Sequence, residues 1–210
     1  MSLLVVLDVD STLIENEVIE LIAERAGVRA EVAEVTDRAM RGEIDFAQSL
    51  RARVATLAGL PVSVLDDVRR EVTVTRGAPE LVAGVHAAGG AIGAVSGGFH
   101  EVLDPLAESL GLDRWRANRL AVRDGRLLGE IDGPIVDAAG KRAALEAWAA
   151  ELGVPRSRTV AIGDGANDLE MMAAAGLSIA FDAKPRVREA ADLALAVRDL
   201  GAVLGVLGLH

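Results

Sequence analysis

A short apolar run near the amino terminus ends in two carboxylates. Residues Leu3 to Leu7 are all apolar, and Asp8 and Asp10 follow within three positions. Five consecutive apolar residues are typical of a strand buried on both faces, as in a parallel sheet covered by helices. Ligands of open α/β sheets bind at the carboxyl ends of such strands. The run therefore predicts an α/β fold, and if the extended backbone continues, both carboxylates project from one side of it.

Three later segments offer groups that suit a phosphate and a hard metal ion. The apolar run Ala91 to Val95 ends in Ser96-Gly97-Gly98, whose hydroxyl and amides can cradle an anion. The run Thr159 to Ile162 ends in a segment with two acids and an asparagine, Gly163 to Asp168. Lys141, one of two lysines in the chain, begins an amphipathic stretch. Carboxylate clusters bind Mg²⁺, and the bound Mg²⁺ in turn binds phosphate esters. These segments therefore predict phosphoryl chemistry.

Composition narrows the class of protein. The chain has 210 residues, 51% hydrophobic and 26% charged, which is typical of a globular protein. The net charge of −10 makes nucleic acid and anionic membranes unfavourable partners. The absence of cysteine excludes disulfides, thiolate metal sites and a cysteine nucleophile. Neither a signal peptide nor a membrane-spanning segment is visible, and we expect a cytoplasmic protein. As a separate expectation, the protein is a monomer or a homodimer.

Four helical patterns interrupt the strand–helix alternation after the first strand. Apolar residues recur at helical spacing from Val18 to Ala26, from Val32 to Met40, from Phe46 to Leu57 and from Val64 to Val72. We therefore predict a helical cap domain over residues 14–75, with residues 1–13 and 76–210 forming the catalytic core. Within the core, Asp124-Gly125 separates two strand-like runs and predicts a β-hairpin.

The polar motifs, taken in order, resemble those of the haloacid dehalogenase-like phosphatases, and more closely the phosphoserine phosphatase branch of that family. The branch is indicated by Glu17 and by a helical insert that contains Phe46 and Arg53. The resemblance covers nearly the whole chain and extends to Ala117-Asn118-Arg119-Leu120 and to Ala183-Lys184-Pro185. The segments that carry it are Asp8-Val9-Asp10-Ser11-Thr12, Val95-Ser96-Gly97-Gly98, Lys141 and Gly163-Asp164-Gly165-Ala166-Asn167-Asp168.

The resemblance implies a doubly wound, mainly parallel Rossmann-like sheet with the helical-bundle cap inserted and a β-hairpin. It also implies Mg²⁺-dependent hydrolysis of O-phospho-L-serine to L-serine and phosphate through an aspartyl phosphate, the last step of serine biosynthesis. Asp8 would be the nucleophile and Asp10 the general acid and base. Mg²⁺ would be held by Asp8, Asp164 and the backbone carbonyl of Asp10, and Asp168 would orient Lys141 or the water ligands of the metal.

The resemblance further implies how the substrate binds. Glu17 would meet the substrate ammonium, and Arg53, whose planar fork suits a carboxylate, would bind the other end of the amino acid. The phosphate and the apolar part of the substrate would be bound by Lys141, Ser96, Gly97 and Asn167, and by Met40 and Phe46.

Two alternatives stay open at this point. One is a related small-molecule phosphatase or phosphotransferase that acts on phosphohomoserine or phosphoethanolamine. The other is a metabolite-binding regulator without catalytic activity on the same fold. His86 and His100 lack metal-ligand spacing, and we assign them no function.

Overall fold

A computed structural model describes residues 3–40 and 43–209, apart from the side chain of Met40. The described residues form one sheet of seven strands in the order β4-β3-β2-β1-β5-β6-β7. All neighbouring strands are parallel except β3 and β4, which form an antiparallel hairpin. The strands are β1 (Leu4–Leu7), β2 (Ala91–Phe99), β3 (Arg114–Arg123), β4 (Arg126–Asp132), β5 (Thr159–Gly163), β6 (Leu177–Phe181) and β7 (Leu193–Leu195).

Helices cover both faces of the sheet, as the apolar run at the amino terminus predicts. Alternate residues of β1 belong to two separate apolar cores: Val5 and Leu7 to one, Leu4 and Val6 to the other. The helices are α1 (Val18–Ala26), α2 (Arg29–Met40), α3 (Phe46–Ala55), α4 (Val64–Glu71), α5 (Ala78–Ala87), α6 (His100–Leu110), α7 (Ala138–Glu151), α8 (Leu169–Ala174), α9 (Pro185–Ala190) and α10 (Ala202–Leu207). Among these, none is long and apolar enough to cross a membrane.

The strand order places β1 at the centre of the sheet, between β2 and β5. From β1 the chain passes to β2 and β3 on one side and then returns to β5 on the other side. This reversal makes a topological switch point between β1 and β5, where ligands of doubly wound sheets bind. The predicted fold class, a doubly wound and mainly parallel sheet with inserted helices and a hairpin, is confirmed.

Helices α1 to α4 lie between β1 and β2 in the sequence, and α3 contacts strand β4 of the hairpin. Backbone hydrogen bonds join the segment after α3 to the hairpin, from Gly59 N to Leu127 O (2.8 Å) and from Leu127 N to Leu60 O (2.9 Å). Gly129 packs closely on the end of α3 and the turn after it, because a Cβ atom there would lie 3.1 Å from Ala55 O and 2.8 Å from the Cβ of Ala58. The hairpin therefore supports the helix that carries Arg53. The division of the chain into a core and a cap stays a prediction.

Candidate active site

The backbone turns sharply where β1 ends. Asp8 N still donates to Ile162 O of β5 (2.9 Å), but the chain then reverses in a tight turn, closed by a bond from Ile14 N to Val9 O (3.0 Å), in which Asp10 keeps extended backbone angles. Ser11 adopts a φ of 57°, which is uncommon for a residue with a Cβ atom and is found at functional sites. The backbone therefore does not continue as a regular strand from Asp8 to Asp10, so the condition for both carboxylates to project from one side of a strand is not met, and the two side chains have different surroundings.

Asp8, Lys141 and Asp168 form a buried ion cluster. The Lys141 Nζ donates to Asp8 Oδ1 at 2.6 Å and to Asp168 Oδ1 at 2.7 Å. Lys141 and Asp168 are fully buried, and Asp8 is 4% exposed. Burial and the Asp168 charge raise the pKa of Asp8 well above its ordinary value, although Lys141 opposes them. Burial also disfavours the ammonium, but the two carboxylates outweigh it and raise the pKa of Lys141. The pairing keeps Lys141 charged inside the protein.

The loop after β5 completes this cluster. Asp168 Oδ2 accepts a hydrogen bond from Gly165 N (3.0 Å), so both of its oxygens are engaged. Gly163 has no room for a side chain, because a Cβ atom there would lie 2.5 Å from the Asp168 carboxyl. Asp164 Oδ1 accepts from Thr12 Oγ1 at 3.3 Å. Burial, with a contribution from the Asp168 charge, raises the pKa of Asp164.

The carboxylates at this edge of the sheet fit a divalent metal ion. Asp8, Asp164 and Asp168 each offer an oxygen, and these three atoms lie within 4.8 Å of one another. Oxygen donors of this kind suit Mg²⁺, Mn²⁺ and Ca²⁺. Both Asp168 oxygens already accept hydrogen bonds from Lys141 and Gly165. The ligand set of Asp8, Asp164 and the Asp10 carbonyl stays a prediction.

Asp10 is held by the core and by the inserted helices at once. Its Oδ2 accepts from Ser96 Oγ (2.9 Å), and its Oδ1 accepts from Val18 N (2.8 Å), the first amide of α1. Ser96 Oγ in turn accepts from Gly98 N (2.7 Å). The structure thus brings Ser96 together with Asp10, and the hydroxyl points its proton at that carboxylate. The contact of Ser96 with phosphate stays a prediction.

A cavity of about 500 Å³ lies above the carboxylates. Asp8, Asp10 and Asp164 line it from the sheet, and Glu17, Phe46 and Arg53 line it from the inserted helices. Gly97 and Asn167 are also part of its wall. The structure therefore brings the predicted phosphate end and the predicted amino-acid end into one space. The predicted contact of Met40 concerns a side chain outside those that the structure describes.

Glu17 and Arg53 carry opposite charges into the cavity. Glu17 is reached by solvent through the cavity, and its carboxylate accepts from Ser11 Oγ at 2.7 Å. The protein atoms packed around Glu17, together with the Asp10 charge, raise its pKa to about 7. Burial lowers the pKa of Arg53, while Glu17 and Asp10 oppose that shift. These two side chains can pair with an ammonium and a carboxylate.

Sequence reasoning gave no role to several residues that shape the site. Thr12 is fully buried and bonds Asp164, and Lys184 lines the cavity. Ser49 and Leu50 also line it. With Phe46 and Arg53, they fall at positions i, i+3, i+4 and i+7 of α3, so helical spacing could have found them. No local signal could have found the bond between Thr12 and Asp164, because 152 positions separate the two residues.

Known proteins are similar to this chain in sequence and architecture. The family described as haloacid dehalogenase-like hydrolase matches residues 5–173. The phosphoserine phosphatase of Streptomyces coelicolor is 60% identical over 206 residues, which are 98% of this chain and 50% of that protein. The chain thus spans half the length of that relative. The phosphoserine phosphatase of Streptococcus thermophilus is 52% identical over 204 residues, 97% of this chain and 95% of that protein.

A solved structure shows the same likeness in three dimensions. It is a phospho-aspartyl intermediate analogue of phosphoserine phosphatase, and it superposes with a TM-score of 0.91 at 42% identity over 98% of both chains. A family match over residues 5–173 and relatives of this similarity leave one conclusion. The chain belongs to the haloacid dehalogenase-like hydrolase family.

Proposed function

We propose that this chain is a phosphoserine phosphatase, which hydrolyses O-phospho-L-serine to L-serine and phosphate. The observation that carries the proposal is the single cavity that Asp8 and Asp10 share with Glu17 and Arg53. The first two residues suit phosphoryl transfer, and the last two suit the ammonium and carboxylate of an amino acid. The relatives from Streptomyces coelicolor and Streptococcus thermophilus carry the same activity in their names. The reaction would be the last step of serine biosynthesis, and we place it in the cytoplasm.

In the first half of the reaction, Asp8 attacks the phosphorus. Its Oδ1 accepts from Lys141 Nζ and Val9 N, whereas its Oδ2 accepts no hydrogen bond from the described residues. One oxygen of the Asp8 carboxylate forms the new bond to phosphorus while the bond to the seryl oxygen breaks. Asp10 donates a proton to that leaving oxygen, and L-serine departs.

In the second half, water replaces the enzyme at the phosphorus. Asp10 takes a proton from the attacking water, the bond between phosphorus and Asp8 breaks, and phosphate leaves. The hydrogen bonds from Ser96 Oγ and Val18 N hold the Asp10 carboxylate in place for both transfers. Lys141 limits the charge that accumulates around Asp8, and the Gly97 amide and Asn167 bind the phosphate oxygens.

We propose Mg²⁺ as the metal, held by Asp8, Asp164 and the backbone carbonyl of Asp10. When bound, Mg²⁺ reduces the repulsion between the carboxylates and the phosphate dianion. The fit rests on the oxygen atoms of Asp8, Asp164 and Asp168, which lie within 4.8 Å of one another. Asp168 keeps Lys141 in place through their 2.7 Å bond.

We propose that residues 14–75 act as a cap domain that selects the substrate and excludes water from the cavity. Arg53 of α3 binds the carboxylate, Glu17 binds the ammonium, and Phe46 and Met40 cover the apolar part. Phosphoethanolamine has no carboxylate for Arg53 to bind, and phosphohomoserine has a longer side chain. For these reasons phosphoserine is the preferred substrate. The protein itself would be a monomer or a homodimer.

A screen of phosphate release tests the activity. Phosphoserine, phosphohomoserine, phosphoethanolamine and p-nitrophenyl phosphate are compared with and without Mg²⁺. We expect the largest kcat/KM for phosphoserine, and only with the metal. A higher value for phosphoethanolamine would overturn the proposed specificity. A folded protein without turnover on any ester would instead favour the metabolite-binding regulator.

An arginine variant tests the substrate contact. Truncating one partner of a buried charge pair costs about 2 to 5 kcal/mol, so Arg53→Ala should lower kcat/KM for phosphoserine roughly 30-fold to a few thousand-fold. p-Nitrophenyl phosphate has no carboxylate and should lose much less. Arg51→Ala is the matched control, because Arg51 lies on α3 but is exposed and outside the cavity lining. Equal losses on both esters would mean that Arg53 supports the cap or the phosphate site.

A further inference from the structure

Lys184 lines the cavity, yet the reaction described above does not use it. It precedes α9 in Ala183-Lys184-Pro185, and its backbone N donates to Asp164 O at 3.2 Å. The side chain is exposed and makes no hydrogen bond or ion pair with any described residue. In contrast, Lys141 is fully buried between Asp8 and Asp168. Lys184 therefore brings an unpaired ammonium to the wall of the site, next to a predicted metal ligand.

The charges around the cavity give this ammonium a use. Its lining has four acids, Asp8, Asp10, Glu17 and Asp164, but only two strong bases, Arg53 and Lys184. The whole chain carries −10. A phosphate monoester brings a charge of about −1.5 to −2 at pH 7. Arg53 is assigned to the substrate carboxylate, and the charge of Lys141 is balanced by Asp8 and Asp168. Among the described residues that line the cavity, Lys184 is therefore the remaining cation for the phosphate.

We propose that Lys184 is a further substrate-binding residue, whose ammonium attracts the phosphate dianion into the site beside Asp164 and, by the same charge, weakens the binding of the metal ion there. The inference rests on the proposed function and adds a residue to its phosphate site. It gives a function to a basic residue that lines the cavity beside Asp164, where the predicted metal ligands are acidic. The Lys184 charge already acts on its neighbour, since it opposes the rise that burial causes in the pKa of Asp164.

The proposal predicts two effects of opposite sign from one substitution. Lys184→Met keeps much of the length of the side chain and removes its charge, and no side-chain bond is lost. Phosphate should bind more weakly, because an attraction disappears. Mg²⁺ should bind more tightly, because a repulsion disappears. Removing a single charge that lines the same cavity, partly screened by solvent, should change the affinity for phosphate and the affinity for Mg²⁺ by about three- to tenfold each. A residue that only maintains the shape of the loop would weaken both ligands together.

Isothermal titration calorimetry measures both effects on the full chain. Mg²⁺ is titrated into metal-free protein, and inorganic phosphate is titrated into protein saturated with Mg²⁺. Lys184→Arg, which keeps the charge, should bind both ligands like the original chain. Arg188→Met is the matched control, because it removes one positive charge from the exposed part of α9 outside the cavity lining. High salt, on the order of 0.5 M, should shrink the Lys184→Met differences.

Opposite shifts in Lys184→Met, with both controls unchanged, would support the proposal. Any other pattern overturns it: parallel weakening, a shift in one ligand alone, no shift, or the same shifts in Arg188→Met. Neither titration uses phosphoserine. Failure of the proposed function would therefore appear in the phosphate-release screen, separately from the outcome for Lys184.

Discussion

Lys141→Met should destabilise the protein strongly and in a pH-dependent manner. Methionine fills nearly the same space but leaves Asp8 and Asp168 without the cation that lies 2.6 and 2.7 Å from them. Both carboxylates are almost completely buried, so water cannot replace the lost partner. Removing one member of a buried ion pair costs about 3 to 5 kcal/mol, which for a chain of this size lowers the melting temperature by roughly 6 to 20 °C.

The sign of the pH dependence follows from the carboxylates. Burial and mutual repulsion already raise the pKa of Asp8 in the folded state, and the loss of Lys141 removes the charge that opposes this rise. The folded variant then binds more protons than the unfolded chain at intermediate pH, so its stability increases as the pH falls. The difference in stability between the original chain and the variant should therefore be largest near pH 8 and smaller near pH 5.5.

Thermal unfolding followed by circular dichroism, in metal-free buffer at both pH values, measures this difference. Arg142→Met is the matched control, because Arg142 is the next residue of α7 and makes an exposed ion pair with Glu146. Exposed pairs contribute little to stability, so this variant should melt close to the original chain at both pH values. If Lys141→Met melts like Arg142→Met, or if its deficit grows as the pH falls, the buried cluster does not have the energetic role that its geometry indicates.

Three further predictions concern activity. Asp8→Asn keeps the shape of the nucleophile without its charge and should lower turnover at least about 10³-fold, while acid-quench mass spectrometry of the original chain should find the phosphoryl group on Asp8. An adduct on Ser11 or Ser96 would contradict this mechanism. Chelation should abolish turnover and Mg²⁺ should restore it, and Asp164→Ala should raise the Mg²⁺ concentration required; normal turnover in the chelated protein would refute the metal's role. Glu17, with its pKa raised to about 7, must ionise to bind the ammonium, so KM for phosphoserine should rise about tenfold from pH 8 to pH 6. In Glu17→Gln, KM for phosphoserine should no longer depend on pH more strongly than KM for p-nitrophenyl phosphate does. If the pH dependence of KM for phosphoserine is unchanged in this variant, Glu17 is not its source.

Local pattern was sufficient to predict most elements. The apolar run at Leu3 to Leu7 gave the central strand, and Asp124-Gly125 gave the hairpin turn, where both residues have positive φ. Strand β3 extends from the hairpin turn back to Arg114, which the local pattern does not indicate. The reason is that pairing with Gly93 to Val95 of β2 extends it through exposed arginines, whose sequence has no strand signal.

The candidate site shows a different limit. Motif spacing accounts for the nearness of Asp8 and Asp164, which follow β1 and β5, because the carboxyl ends of parallel strands meet at one edge. It does not by itself place Lys141, which lies on α7 and was grouped with them through the resemblance. It did not predict the turn at Ser11, whose left-handed backbone depends on hydrogen bonds to residues beyond the turn. Nor did it predict the bond between Ser96 and Asp10, 86 positions apart. Contacts of this kind depend on how the loops fold onto one another after the sheet is built.

The segment from Asp10 to Val18 joins the chemical and the selective parts of the site. Asp10 accepts a hydrogen bond from the first amide of α1, and the adjoining Ser11 donates one to Glu17, the residue just before that helix. A displacement of α1 would therefore disturb the proposed proton carrier and the proposed ammonium site together. On the proposed function, binding of the amino-acid end of the substrate to Glu17 fixes the same turn that holds Asp10 for proton transfer. Esters that do not reach Glu17 leave this turn without that restraint, so discrimination against them should appear in kcat as well as in KM.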